Sequence, residues 1–180
     1  MKKTVLTFGL ISGFIMIAMM TLSLALSERI GFGHSLVLGY TILILGSLLV
    51  FFGIRSYREN IGGGRISFGR AFAVGILITL IASVFYVLTW EIIYFKFMPD
   101  FADKYAAYMI EQARAAGESA QKLQAIAAEM KSMKATLNNP FLNAAFTFIE
   151  PFPIGLIVTL ISAAILRKKP RPPVNDAVAA

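Results

Sequence analysis

The sequence predicts an all-α membrane protein: a four-transmembrane-helix bundle with an extracytoplasmic amphipathic helical hairpin between spans 3 and 4. Three observations carry this reading. Of 180 residues, 57% are hydrophobic and the mean hydropathy is +0.72, too apolar for a soluble domain of this size, whose surface must be largely polar. Four apolar runs match the roughly 20 helical residues that cross a hydrocarbon core of about 30 Å. Between the third and fourth runs, residues 96–140 are too polar to span but carry apolar positions at helical spacing.

The first span covers residues 4–26, behind Lys2 and Lys3. A lysine pair, an apolar stretch and small residues near Ala25 and Ser27 imitate a secretory signal. The apolar stretch, however, exceeds the roughly 7 to 15 residues of a signal core, so an uncleaved span is expected. The second and third spans cover residues 35–54 and 71–95, and the fourth 141–166. Residues 1–169 thus form a single four-span membrane domain. The tail from 170 to 180 contains Pro170, Pro172 and Pro173 and is expected to be a disordered cytoplasmic extension.

Orientation follows from basic residues near the span ends. Lys2, Lys3, Arg55, Arg58, Arg65, Arg70, Arg167, Lys168, Lys169 and Arg171 fall on one side. The short loop opposite has Arg29 beside Glu28, and the long loop mixes both signs. Both termini are therefore expected in the cytoplasm. The net charge of +7 sits at the ends of apolar segments rather than on one soluble face, which argues against a nucleic-acid partner. It suits a lipid bilayer instead, with anionic headgroups at the cytoplasmic loop as a further contact.

The polar segment reads as two helices. In the first, Phe101, Tyr105, Tyr108 and Met109 share a face, and Asp100 and Asp103 follow Pro99 as first-turn acids. In the second, Leu123, Ile126, Ala127, Met130, Met133 and Leu137 share a face, with Ser119 as N-cap and Asn138-Asn139-Pro140 as the stop. Gly117-Glu118 forms the turn. These stripes suit packing of the arms on each other and on the span ends; a partner-binding face is the sharper alternative.

Two carboxylates stand near hydrocarbon, Glu91 and Glu150, and are the candidate functional residues. Trp90 and Tyr94 place Glu91 near the membrane rim. Glu150 precedes Pro151 and Pro153. In one reading the fourth membrane helix starts there, with proline in its first turn, the acid on the helix dipole, and Phe141 to Ile149 as an interfacial or bent lead-in. In the other, the span is continuous and kinked and Glu150 shares a proton or cation with Glu91. His34 has no second histidine and the chain has no cysteine, so neither a metal nor a cofactor is expected. RSYRENIGGGRISFGR lacks the lysine and hydroxyl that a phosphate loop requires. With no hydrolase-like arrangement of serine, histidine and acid, no catalytic residue is assigned and the protein is not expected to be an enzyme. Small-residue stripes (Gly9 and Gly13; Gly39, Gly46 and Gly53; Ala71 and Gly75; Gly155, Thr159 and Ser162) predict tight packing within one chain, with a homo-oligomer as the lesser alternative.

ISFGRAFAVGILITLIASVFYVLTW, the hairpin with its central Gly-Glu-Ser, the NNPFLN junction and the closing IEPFPIGLIVTLISAAILRKK resemble the bacterial four-span membrane proteins grouped as domain of unknown function 4199. The resemblance runs from the first span through Lys169. It implies a bacterial inner-membrane protein with an extracytoplasmic insertion between spans 3 and 4, and brings no activity, ligand or site residue with it. The expected role is a non-enzymatic interaction or envelope-associated protein that engages an extracytoplasmic partner through the hairpin. The alternative is a small oligomeric transporter or channel subunit using Glu91 and Glu150.

Overall fold

A computed structural model describes residues 1–30 and 32–168. The expected tail of residues 170–180 and the side chains of Glu28 and Arg29 lie outside what it describes. The chain forms α1 (Lys2–Ile30), α2 (Phe32–Ser47), α3 (Leu49–Asn60), α4 (Phe68–Ile92, closing in a π-helical turn at Ile93–Phe97), α5 (Phe101–Ala115), α6 (Ala120–Leu137), α7 (Pro140–Ile149) and α8 (Pro151–Leu166). Four segments are long and apolar enough to cross a membrane: Lys2–Leu26, Val37–Asn60, Phe68–Phe97 and Pro140–Leu166. The second combines α2 and α3 and extends beyond the expected end at residue 54. Its last turns carry Arg55, whose long stem lets the charge reach water from an apolar helix, and Arg58, whose guanidinium is largely buried and paired with Glu59.

The helix boundaries follow from local chemistry. Ser67 accepts from the Arg70 N–H at 3.4 Å, capping α4. Before it, Gly63 and Gly64 adopt φ of +57° and +77°, a backbone that L side chains resist, so GGG makes a tight turn. At this end of the bundle Arg58 Nη1 donates to the Leu166 carbonyl (3.3 Å) and Lys168 N to the Ile66 carbonyl (2.9 Å). These bonds gather the start of α4 and the ends of α3 and α8 into one basic end, where Val5 packs the start of α1 into the same core as Tyr57, Ile66 and Leu166.

The core of the bundle is α4, which packs on α1, α3 and α8. Val50, Ile54, Val74 and Ile78 are almost wholly buried. Lipid tails are as apolar as leucine, so membrane helices associate by close approach and hydrogen bonding rather than by the hydrophobic effect. The glycines supply that approach. A Cβ on Gly9 or Gly13 would press on Ile81 or Phe85 of α4, and one on Gly155 would lie 2.4 Å from Thr79 Cγ2. Across the same contact the Thr79 and Thr159 hydroxyls are 3.2 Å apart. Most of the small-residue stripes therefore serve packing within the chain. Val84, Leu88, Ile92, Ile157 and Ile165 remain exposed, an outer surface suited to lipid.

At the opposite end, α5 and α6 form the expected αα-hairpin. Gly117 turns at φ +75°, and Ser119 caps α6 by accepting from Lys122 N at 3.3 Å. Lys134 joins the arms by pairing with Asp103 at 2.6 Å. Asp100 does not cap α5 through its side chain; its carboxylate pairs with Lys104 at 2.9 Å.

Candidate binding cavity

The cavity begins with the prolines of the fourth span. Pro151 occupies the first position of α8, as the sequence suggests, but Glu150 remains helical at φ −73°, ψ −61°, so α7 runs into α8 as one bent segment. Neither Pro151 nor Pro153 has an N–H to offer the carbonyl four residues earlier, and their rings crowd that turn. The Thr147 carbonyl takes the Glu150 N–H instead, at 3.4 Å. Of the two expected forms of the Phe141 to Ile149 lead-in, the structure has the bent extension. Glu150 makes no side-chain cap to α8.

The bend changes neighbours. Helix α8 packs on α2, α3 and α4, whereas α7 packs chiefly on α4, α6 and α8. Where α7 parts from α2, a cavity of about 740 Å³ opens between the spans and the hairpin. Met16 and Met20 of α1, Tyr40 and Leu43 of α2 and Tyr86 and Trp90 of α4 form its walls. Phe101, Tyr105, Met133 and Leu137 of the hairpin cover it, and Glu150 lines it at the bend. Gly39 faces the same space, and a Cβ there would meet nothing within 4 Å; this glycine alone of its stripe is not a packing contact.

Hydrogen bonds fix the walls. The Tyr86 hydroxyl donates to Glu150 Oε2 at 2.9 Å, tying α4 to the bend, and the Glu150 side chain is otherwise exposed to the cavity. Trp90 Nε1 donates to Asn143 Oδ1 (3.0 Å), Asn143 Nδ2 to the Leu137 carbonyl (2.9 Å), and Thr147 Oγ1 to Asn143 Oδ1 (3.2 Å). Asn143 is fully buried, so one amide holds α4, the end of α6 and α7 together. The Tyr94 hydroxyl donates to Asn138 Oδ1 at 3.0 Å. Phe101 meets the Trp90 ring edge-on at 4.9 Å between centroids.

The two candidate glutamates are not brought together by a hydrogen bond. Glu150 lines the cavity, whereas Glu91 is absent from its lining, and Glu91 Oε1 is buried without a hydrogen-bond partner. His34 lies exposed on α2. Among the described residues, no three of His, Cys, Asp and Glu converge as metal ligands. Sequence reasoning passed over Tyr40, Tyr86 and Asn143. The available signal was a run of polar-tipped aromatics, Tyr86, Trp90 and Tyr94, at four-residue spacing on one side of α4.

A kinked helical bundle with apolar outer faces and an open cavity at one end defines a multi-pass α-helical membrane protein. The chain belongs to the family described as protein of unknown function (DUF4199), which it matches over residues 7–168, in agreement with the resemblance carried by its third and fourth spans. No curated protein and no solved structure matches it.

Proposed function

We propose that this is a non-enzymatic bacterial inner-membrane protein that holds a small amphiphilic molecule in the cavity, with the hairpin as its extracytoplasmic lid. The cavity itself carries the proposal. Its volume of about 740 Å³ falls within the roughly 300 to 1,000 Å³ of small-molecule sites, and its lining, mainly apolar and aromatic with a few convergent polar groups, is of the usual kind. The hairpin residues expected to meet a partner, Phe101, Tyr105, Met133 and Leu137, turn toward this space, which favours a lid over a protein-docking arm. The start of α1 and the end of α8 lie at the basic end, and the preference of lysine and arginine for the cytoplasmic side supports cytoplasmic termini and anionic headgroups around Arg55, Arg65 and Arg70. A transporter or channel subunit using Glu91 and Glu150 jointly has less support. The two share no hydrogen bond, and Val50, Ile54, Val74 and Ile78 pack the basic half of the bundle.

Trp90 is the only tryptophan in the chain and lines the cavity, so its fluorescence reports occupancy. A brominated monoacylglycerol, which quenches indole on contact, should quench Trp90 in the full-length protein in nanodiscs. Gly39→Phe, which places a ring in the open space beside Gly39, should remove that quenching while circular dichroism stays unchanged. Equal quenching in both proteins would overturn the proposal.

A further inference from the structure

Resting on that reading of the cavity, we infer that its occupant carries an ammonium group: a cationic amphiphile whose nitrogen sits between Glu150 and the surrounding aromatic rings.

The inference starts from the charges that line the space. Among the described residues, the ionisable lining comprises two carboxylates, Glu129 and Glu150, and tyrosine hydroxyls, with no lysine, arginine or histidine. On the lid, Lys134 is engaged by Asp103 at 2.6 Å and Lys104 by Asp100 at 2.9 Å. Glu150 thus lies against a mainly apolar lining, with no basic side chain among the described lining residues to balance it. A carboxylate there needs a counter-charge or several donors, and the described residues supply one donor, the Tyr86 hydroxyl on Oε2. A carboxylate has about four acceptor positions, so capacity remains for a guest with N–H donors or a positive charge.

The rings complete the site. Tyr40, Tyr86, Trp90, Phe101 and Tyr105 all line the cavity, and an electron-rich ring face attracts a desolvated ammonium ion. Methionines on both walls, Met16 and Met20 on α1 and Met133 on α6, give an adaptable apolar surface for the rest of the molecule. An anionic headgroup would meet two like charges and no basic side chain among the described lining residues. An uncharged one would leave Glu150 unbalanced. The lining therefore favours a cation over both.

Three single-chain brominated probes of equal chain length test this in uncharged nanodiscs: an alkyltrimethylammonium, a monoacylglycerol and an alkyl sulfate. Trp90 quenching is read against Gly39→Phe, which corrects for partition into the bilayer. The ammonium probe is expected to bind about tenfold tighter than the monoacylglycerol, the equivalent of one carboxylate pair with aromatic support, and the sulfate weakest of the three. Glu150→Gln should bring the ammonium affinity down to that of the monoacylglycerol while still binding the latter, which shows that the cavity has kept its shape. Equal affinity of the two probes for the unmodified protein, or a preference that survives Glu150→Gln, overturns the cationic assignment but leaves amphiphile binding standing. If Gly39→Phe changes the quenching by none of the probes, the cavity reading itself fails. The comparison in the unmodified protein decides the matter even if Glu150→Gln does not fold.

Discussion

Replacing Asn143 by leucine tests whether the cavity wall is held by polar bonds or merely filled. The side chain is fully buried and makes three hydrogen bonds, to Trp90 Nε1, the Leu137 carbonyl and Thr147 Oγ1. Leucine has the same branched arrangement of heavy atoms with bulkier methyl ends, so no cavity forms. The Thr147 hydroxyl can turn back to the backbone carbonyl of residue 143, one turn earlier, and recover its bond. The indole N–H and the Leu137 carbonyl cannot, and each unsatisfied buried group costs about 1–3 kcal/mol. Hydrogen bonds between membrane helices average only about 0.6 kcal/mol, which pulls the sum toward the lower end. A loss of about 2 kcal/mol is expected, measured by reversible unfolding in mixed micelles with helicity as the signal. Trp90→Phe removes one of the orphaned groups, so its effect and that of Asn143→Leu should be non-additive by about 0.5 kcal/mol or more. Full additivity together with a negligible loss for Asn143→Leu would falsify the claim that this amide joins α4, α6 and α7.

Gly155→Ala should destabilise by about 1–3 kcal/mol, because α4 and α8 must move apart to clear the new methyl. The contact is 2.4 Å to Thr79 Cγ2, so adding Thr79→Ser, which deletes that carbon, should recover most of the loss in the same unfolding assay; no recovery would place the strain elsewhere. On the lid, the Lys104 ammonium hydrogen-bonded to Asp100 holds that carboxyl below its ordinary range. A depressed folded-state pKa means the pair stabilises α5 above the unfolded carboxyl's titration and loses that contribution as pH falls through the folded value. Carboxyl NMR titration should place Asp100 below the ordinary aspartate range, and Lys104→Met should return it there; a midpoint that does not move would exclude the pairing.

The four spans were readable because a bilayer leaves a periodicity-independent mark: runs of apolar residues long enough to cross it. The hairpin was readable because Gly117, Ser119 and Asn138-Asn139-Pro140 punctuate the chain by their own backbone chemistry. Glu150 could be singled out as an acid beside hydrocarbon, though its role could not. Whether it capped α8, met Glu91 or faced a cavity depended on which side chains lay across from it, and its partner Tyr86 is distant in the chain. Asn143 was missed for the same reason, since an asparagine following NNPFL looks like turn material until Trp90 and Leu137 are seen around it.

The sequence by itself thus determined the helical class, the number of spans, the hairpin and its turns, since each rests on short-range backbone preference or on the solvent a segment requires. Tertiary structure decided what the EPFP step does. Two prolines that look like a helix start also swing α7 away from α2, and the gap they leave becomes the cavity. That outcome depends on which helices α7 and α8 pack against, a relation between distant segments that local preference does not encode.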